Sequence, residues 1–190
     1  MSDLPDDNQE REMETSKGRY AAFLAAVALG LLSACSTVDV SSGPAFVAGE
    51  SIAILPIANH TETPEAGQRV RSIAHSLLYQ KGFSNLKQYP QDETTDLLMA
   101  SSADRQRQQA LEWARQTGAR YALTGSVQEW RYKVGLDGEP VVGLTFDLVD
   151  VNDASLVWSA TGSRSGWSRS SLAGVGQTLI KEMLNPLSVN

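Results

Sequence analysis

The feature that most limits how this chain can fold is a twelve-residue apolar segment, Ala21 to Leu32, which ends shortly before the only cysteine. A transmembrane helix needs about 20 apolar residues, so this segment is too short to span a bilayer. It follows Lys17 and Arg19, and a short apolar segment after basic residues is typical of a secretory signal. We therefore expect residues 1–34 to be removed and the folded protein to be built from the remainder.

The residues Leu32-Ser33-Ala34-Cys35 at the end of that segment resemble a bacterial lipobox. In that motif a signal peptidase cuts before the cysteine, which becomes acylated with chains such as palmitate. A buried cysteine on an ordinary core helix is the alternative interpretation. Several acyl chains anchor a protein stably, whereas one chain does so only marginally. We expect Cys35 to be the lipidated first residue of a protein that is tethered to a bilayer without spanning it.

The residue after the cysteine bears on which membrane is used. Ser36 follows Cys35, and an aspartate at that place commonly retains lipoproteins at the inner membrane. Its absence favours the periplasmic leaflet of the outer membrane. The segment ahead of Met13 carries five acidic residues, which is unusual for the start of a signal, so Met13 is an alternative start.

Composition argues against several classes of function. The chain has 22 acidic and 16 basic residues, whereas a nucleic-acid partner needs a basic patch. A single cysteine excludes a disulfide framework and a cysteine zinc site. His60 follows the first buried strand, where open α/β sheets often bind ligands, but Asn59 and His60 can equally satisfy backbone groups of that loop. With no nucleophile, metal or nucleotide motif in the sequence, we predict neither an enzyme nor a cofactor.

The hydrophobic pattern predicts one domain of the α/β (α+β) class over residues 50–190. Its elements follow the order β-α-β-α-β-β-β-α, which gives a single mixed β-sheet with helices packed on it. Residues 35–49 are rich in serine and glycine and lack periodicity, which predicts a flexible tether.

One predicted strand, Tyr121 to Val134, changes the phase of its alternation. The apolar residues stand at odd positions up to Val127 and at even positions from Trp130 onward. A slip of one residue indicates a bulge, or a projecting hairpin whose apolar face is not the domain core.

Two exposed features are candidates for function. The predicted hairpin loop Gly135–Pro140 carries Asp137 and Glu139, which form an ordinary solvated turn in one copy but a ring of negative charge around an oligomer. Trp167 stands among small polar residues between the last strand and the last helix. Such a residue is either a lid over the core or a contact with the bilayer interface, which accommodates both the apolar body and the N–H of an indole.

Four segments of the mature chain resemble one known family: Ala53–Gly67, Tyr121–Trp130, Gly135–Pro140 and Gly166–Ser168. It is the PelC family, the outer-membrane lipoproteins of the Pel exopolysaccharide export machinery of biofilms. The likeness covers nearly all of Cys35–Asn190, while the acidic extension before Met13 departs from the short signal of the family.

The resemblance implies a non-enzymatic lipoprotein that forms a ring, in that family a dodecamer, beneath an export porin with a repeat-containing periplasmic scaffold. The acidic surface of the ring would draw a cationic, partly deacetylated amino-sugar polymer towards the pore. Asp137, which matches the acidic loop residue of the family, and Glu139 would guide the polymer. Trp167 matches the membrane-contacting tryptophan. The alternative function is a lipoprotein that activates a periplasmic peptidoglycan synthase, for which the tether is short.

Overall fold

A computed structural model describes residues 36–90, 103–135 and 138–189. Residues Cys35–Asn190 belong to one compact unit. Its described part is one mixed six-stranded sheet with three helices packed on it, which confirms the predicted α+β class and the single sheet. Within these ranges, no helix combines the length and the apolar character that crossing a membrane requires.

The described elements follow the order β-β-α-β-α-β-β-β-α. The strands are β1 Ser36–Val40, β2 Ile52–Asn59, β3 Leu86–Gln88, β4 Tyr121–Tyr132, β5 Pro140–Asp150 and β6 Leu156–Ser165. The helices are α1 Ala66–Gln80, α2 Ala103–Gln116 and α3 Leu172–Met183. The sheet order is β1-β6-β5-β4-β2-β3. Strand β2 runs parallel to β3 and β4, and the other neighbours are antiparallel.

The prediction of a flexible tether over residues 35–49 is wrong for much of this segment. Strand β1 lies within it and pairs with β6, and Phe46 is only 1% exposed. The ring of Phe46 meets those of Phe83 and Tyr121 edge to face at centroid distances of 5.0 and 5.4 Å. Strand β1 lies at the edge of the sheet, where only Val38 and Val40 pack against the core, so its serine, threonine and aspartate were compatible with a loop. Residues 36–40 are therefore a strand of the sheet.

The two faces of the sheet are covered unequally. Helices α1 and α3 pack on one face and bury the main core, which includes Ile54, Leu123, Leu144, Phe146, Val70 and Leu179. Helix α2 covers a corner of the other face through a smaller cluster around Ala53, Leu55, Ala110, Ala114 and Val149. Much of that second face, along β1, β6 and β5, carries hydroxyl and carboxylate side chains instead.

The phase change in β4 corresponds to a bulge, because the register with β5 shifts between Val127 and Glu129. The bulge returns Trp130 to the core, where it is buried against α3. A Cβ atom at Gly176 would lie 2.4 Å from Cη2 of Trp130, so the close approach of the helix requires glycine there. Beyond Trp130 the hairpin extends past the core, and Tyr132 and Val134 are exposed.

Candidate functional site

The register of the sheet brings three chain segments to one end, which we name the hairpin end. Ser36 pairs with Arg164, Ser165 pairs with Val141, and Tyr132 pairs with Pro140. The start of β1, the β4–β5 loop and the loop after β6 are therefore neighbours. The residues predicted to act in lipidation, polymer guiding and membrane contact all belong to these segments.

The start of β1 is fixed by side chains as well as by the sheet. The Ser36 hydroxyl donates to Oε2 of Glu182 at 3.3 Å, and Nη1 of Arg164 lies 2.7 Å from Oε1 of the same carboxylate. Cys35 itself lies outside the described residues. Its neighbour in the chain, Ser36, is the described residue at the hairpin end.

The β4–β5 loop carries the two predicted guiding acids, of which Asp137 lies outside the described residues. The N–H of Lys133 donates to the carbonyl oxygen of Glu139 at 2.8 Å, which closes the loop. Nζ of Lys133 also lies 3.3 Å from Oε2 of Glu139. Both side chains are nearly half exposed, and such a pair contributes roughly 0–1 kcal/mol. The charge of Glu139 is therefore partly compensated by its neighbour.

The loop after β6 presents Trp167 with 60% of its surface exposed. Backbone contacts hold this loop, because the N–H of Gly166 donates to the carbonyl oxygen of Pro140 at 2.9 Å. The N–H of Ser170 donates to the carbonyl oxygen of Trp167 at 2.8 Å. Helix α3 begins after Ser171, whose hydroxyl accepts the N–H of Gly174 at 3.0 Å. The exposure of the indole disagrees with a lid over the core.

The polar face of the sheet forms a shallow cavity of 370 Å³ next to these segments. Its lining includes Thr37, Asp39, Gln128, Thr145, Thr161 and Ser163. The hydroxyl oxygens of Thr145 and Thr161 are 3.2 Å apart. Nε2 of Gln128 donates to the hydroxyl oxygen of Thr145 at 3.1 Å. Three of these side chains, Gln128, Thr145 and Thr161, are thus bonded to one another.

Two solved structures of PelC dodecamers from Paraburkholderia phytofirmans are similar to this chain, and each is 46% identical to it. The alignment with the first structure covers 82% of this chain and 99% of the other, with a TM-score of 0.71. The second, a single-residue variant, covers 82% of this chain and 100% of its own length, with a TM-score of 0.70. The chain belongs to the PelC family.

Lipoprotein GNA1162 from Neisseria meningitidis shares the fold, with 20% identity and a TM-score of 0.53. That match covers 72% of this chain and 96% of the other protein. No protein-family model and no curated protein matches the chain. The PelC assignment, made on sequence from four short segments, is confirmed by the comparison of whole chains.

The sequence indicated a bulge or a projecting hairpin at Tyr132 and Val134 of this PelC-family chain, but it did not show that both residues lie at the hairpin end. Val134 is 99% exposed and Tyr132 is 50% exposed. The hydroxyl oxygen of Tyr132 accepts the N–H of Leu172 at 3.1 Å, which ties the hairpin to the start of α3. The signal was present in the phase change of β4, which placed both residues at even positions.

The loop after β2 contains His60, whose role the sequence left open. The Asn59 side chain accepts the N–H of Thr61 at 3.0 Å and donates to the carbonyl oxygen of Thr63 at 2.8 Å. The N–H of His60 donates to the carbonyl oxygen of Val127 at 2.9 Å, and its side chain is exposed. Among the described residues, no three or more His, Cys, Asp or Glu side chains are grouped to hold a metal ion. These contacts agree with a structural role for the loop.

Proposed function

We propose that this PelC-family chain is a lipid-anchored, ring-forming subunit of a Pel exopolysaccharide export complex at the outer membrane. It guides a cationic polysaccharide electrostatically to the export porin and neither makes nor breaks bonds. The observation that carries the proposal is the 46% identity to PelC dodecamers over 82% of the chain.

The start of β1 supports the anchoring part of the proposal. Ser36 is held in the sheet and by Glu182, so acyl chains on Cys35 would enter the periplasmic leaflet directly at the hairpin end. Trp167 is exposed at the same end, where an indole can lie at the level of the lipid headgroups.

The electrostatic part depends on repetition. The mature chain from Cys35 onward has a net charge of −3, since residues 1–34 carry six acids and three bases out of the total of −6. One exposed carboxylate attracts a polycation weakly, but acids that converge around a channel raise the local concentration of the polymer, and salt screens this effect. Lys133 partly compensates Glu139, so in this proposal the attraction depends on many copies of the loop rather than on one.

The alternative function, activation of a peptidoglycan synthase, requires a domain that reaches away from its lipid. Ordered structure from Ser36 onward leaves no flexible chain between the predicted lipid site and the sheet. This observation favours a domain that stays at the bilayer, close to an outer-membrane porin.

Ring formation is tested by the mass of the full, lipidated chain in detergent. We expect a large homo-oligomer, because the chain is similar to dodecamers over most of its length. A monomer at every concentration, with or without the porin, contradicts the ring. Metabolic labelling with a fatty-acid analogue tests the anchor, and Cys35→Ser should abolish the label.

Polymer guiding is tested with the double variant Asp137→Ala, Glu139→Ala in cells that export the polymer. We expect export to fall while the protein remains folded and membrane-bound. The matched control is Glu112→Ala, which removes an exposed acid from α2 on a different element. Normal export by the double variant, or an equal loss in the control, contradicts guiding by this loop.

A further inference from the structure

Exposed apolar side chains concentrate at the hairpin end. Among the described residues, six large hydrophobic side chains are exposed, and Tyr132, Val134 and Trp167 lie at this end. Trp167 has a role in the proposed function, whereas the other two residues have none. A group of exposed apolar residues on one part of a surface marks an interaction site more often than scattered single residues do.

The tip of the β4–β5 hairpin has the composition of a membrane-interface element. Val134 is 99% exposed, so the fold gains nothing from a branched apolar residue there. The Tyr132 ring is half exposed, and its hydroxyl is fixed by the N–H of Leu172. Tyrosine is enriched where an apolar body and a polar atom meet lipid and water. Lys133, between them, has a long stem that can keep its ammonium group among lipid headgroups.

We propose that Tyr132 and Val134 form a second membrane-insertion point beside Trp167, and that they enter the leaflet that carries the acyl chains of Cys35. This inference rests on the proposed function, in which Cys35 is acylated. The pairing of Ser36 with Arg164 decides the occupant, because it puts the residue that follows Cys35 at the same end of the sheet as the hairpin tip.

The spacing of the strands makes simultaneous contact possible. Strands β1 and β4 are separated by β6 and β5, so three spacings of about 4.8 Å put the two strands roughly 14 Å apart across the sheet. Ser36 stands in one row with Arg164, Val142 and Trp130, so Tyr132 projects two residues, about 7 Å, beyond the start of β1 along the strand direction. The Trp167 loop follows β6, which lies between them. Lipid anchor, indole and hairpin tip thus form three contacts along one end of the sheet, which would set the strands at a steep angle to the bilayer.

The test exploits the single cysteine of the chain. Acylation blocks the thiol of Cys35, so Val134→Cys in the lipidated full chain gives one site for an environment-sensitive fluorophore. The labelled protein is reconstituted in vesicles of phosphatidylethanolamine and phosphatidylglycerol that contain a spin-labelled quencher lipid. The matched control is Leu156→Cys. Leu156 is exposed and begins the ten-residue strand β6, so it lies about 30 Å from the hairpin end, where that strand ends.

We expect the label at position 134 to shift its emission to shorter wavelengths and to be quenched by the spin-labelled lipid, and the label at position 156 to show neither change. If the protein binds vesicles but the emission of the label at position 134 stays that of a water-exposed fluorophore, insertion is overturned. The proposed function of an anchored subunit is not affected by that result. A shifted emission without lipid quenching places Val134 at a contact between copies, which also overturns insertion. Protein that fails to bind the vesicles refutes the anchor and the inference together.

Discussion

Replacing Trp167 with serine distinguishes a membrane contact from a structural role. The loop is held by two backbone hydrogen bonds, from Gly166 to Pro140 and from Ser170 to Trp167, and neither involves the indole. Substitutions of exposed residues without such contacts change stability by about 0.5 kcal/mol or less. We therefore expect the free energy of unfolding of the Trp167→Ser variant to stay close to that of the parent.

The expected loss of membrane affinity follows from the exposed area. Full burial of a tryptophan removes about 150–250 Å² from water, so the 60% exposed fraction of Trp167 corresponds to roughly 90–150 Å². At about 25 cal/mol per Å², transfer of this surface into lipid contributes about 2–4 kcal/mol. Since about 1.4 kcal/mol is a factor of ten, vesicle partitioning should fall by roughly 30-fold or more.

The assay uses the Cys35→Ser background, so that acyl chains do not mask the contribution of the indole. Co-sedimentation with vesicles measures partitioning, and denaturant titration measures the free energy of unfolding. The control is Leu156→Ser, since Leu156 is also 60% exposed but lies at the far end of β6. A loss of more than about 2 kcal/mol in unfolding free energy would show that Trp167 supports the core. Equal partitioning losses in both variants would refute a specific contact.

Two further predictions concern the β4–β5 hairpin. Gly176→Ala places a Cβ 2.4 Å from the Trp130 ring and should lower the free energy of unfolding by about 1–3 kcal/mol in denaturant titration. The control is Gly135→Ala, which should be close to neutral because a Cβ there meets nothing within 4 Å. Equal effects of the two substitutions would contradict the packing argument. Lys133→Gln frees the charge of Glu139 and should strengthen binding of a deacetylated amino-sugar oligomer at low salt, by up to about fivefold for an exposed pair; weaker binding would contradict the electrostatic model.

The sequence predicted the elements whose apolar residues are periodic and failed where burial is sparse. Helix α1 buries Val70, Ala74 and Leu77 at helical spacing, and β5 alternates buried and half-buried residues from Leu144 to Leu148, so both were identified. Strand β1 offers only Val38 and Val40 to the core. Two half-buried valines in a five-residue strand are too few to distinguish it from a loop, and pairing with β6 is what makes the segment a strand.

The candidate site shows the same limit. Cys35, Asp137, Glu139 and Trp167 were each predicted from local composition or resemblance. No local pattern could show that Ser36, Glu139 and Trp167 lie at one end of the sheet. That information resides in the pairing of β1 with β6, which joins segments far apart in the chain. Long-range register depends on which apolar faces pack together, and one sequence does not display it.

Strand β1 begins at the residue after Cys35, and this short connection bears on how subunits would assemble at the membrane. A lipoprotein on a flexible linker of about 14 residues would have an end-to-end distance of roughly 20 Å and would tumble above the bilayer. Here Ser36 is bonded to the sheet and to Glu182, so acylation of Cys35 would fix which end of the domain meets the lipid. Subunits that share an orientation in two dimensions lose less rotational freedom on association than freely tumbling ones. A short connection between lipid and fold therefore favours ring formation at the membrane even when each contact between subunits is modest.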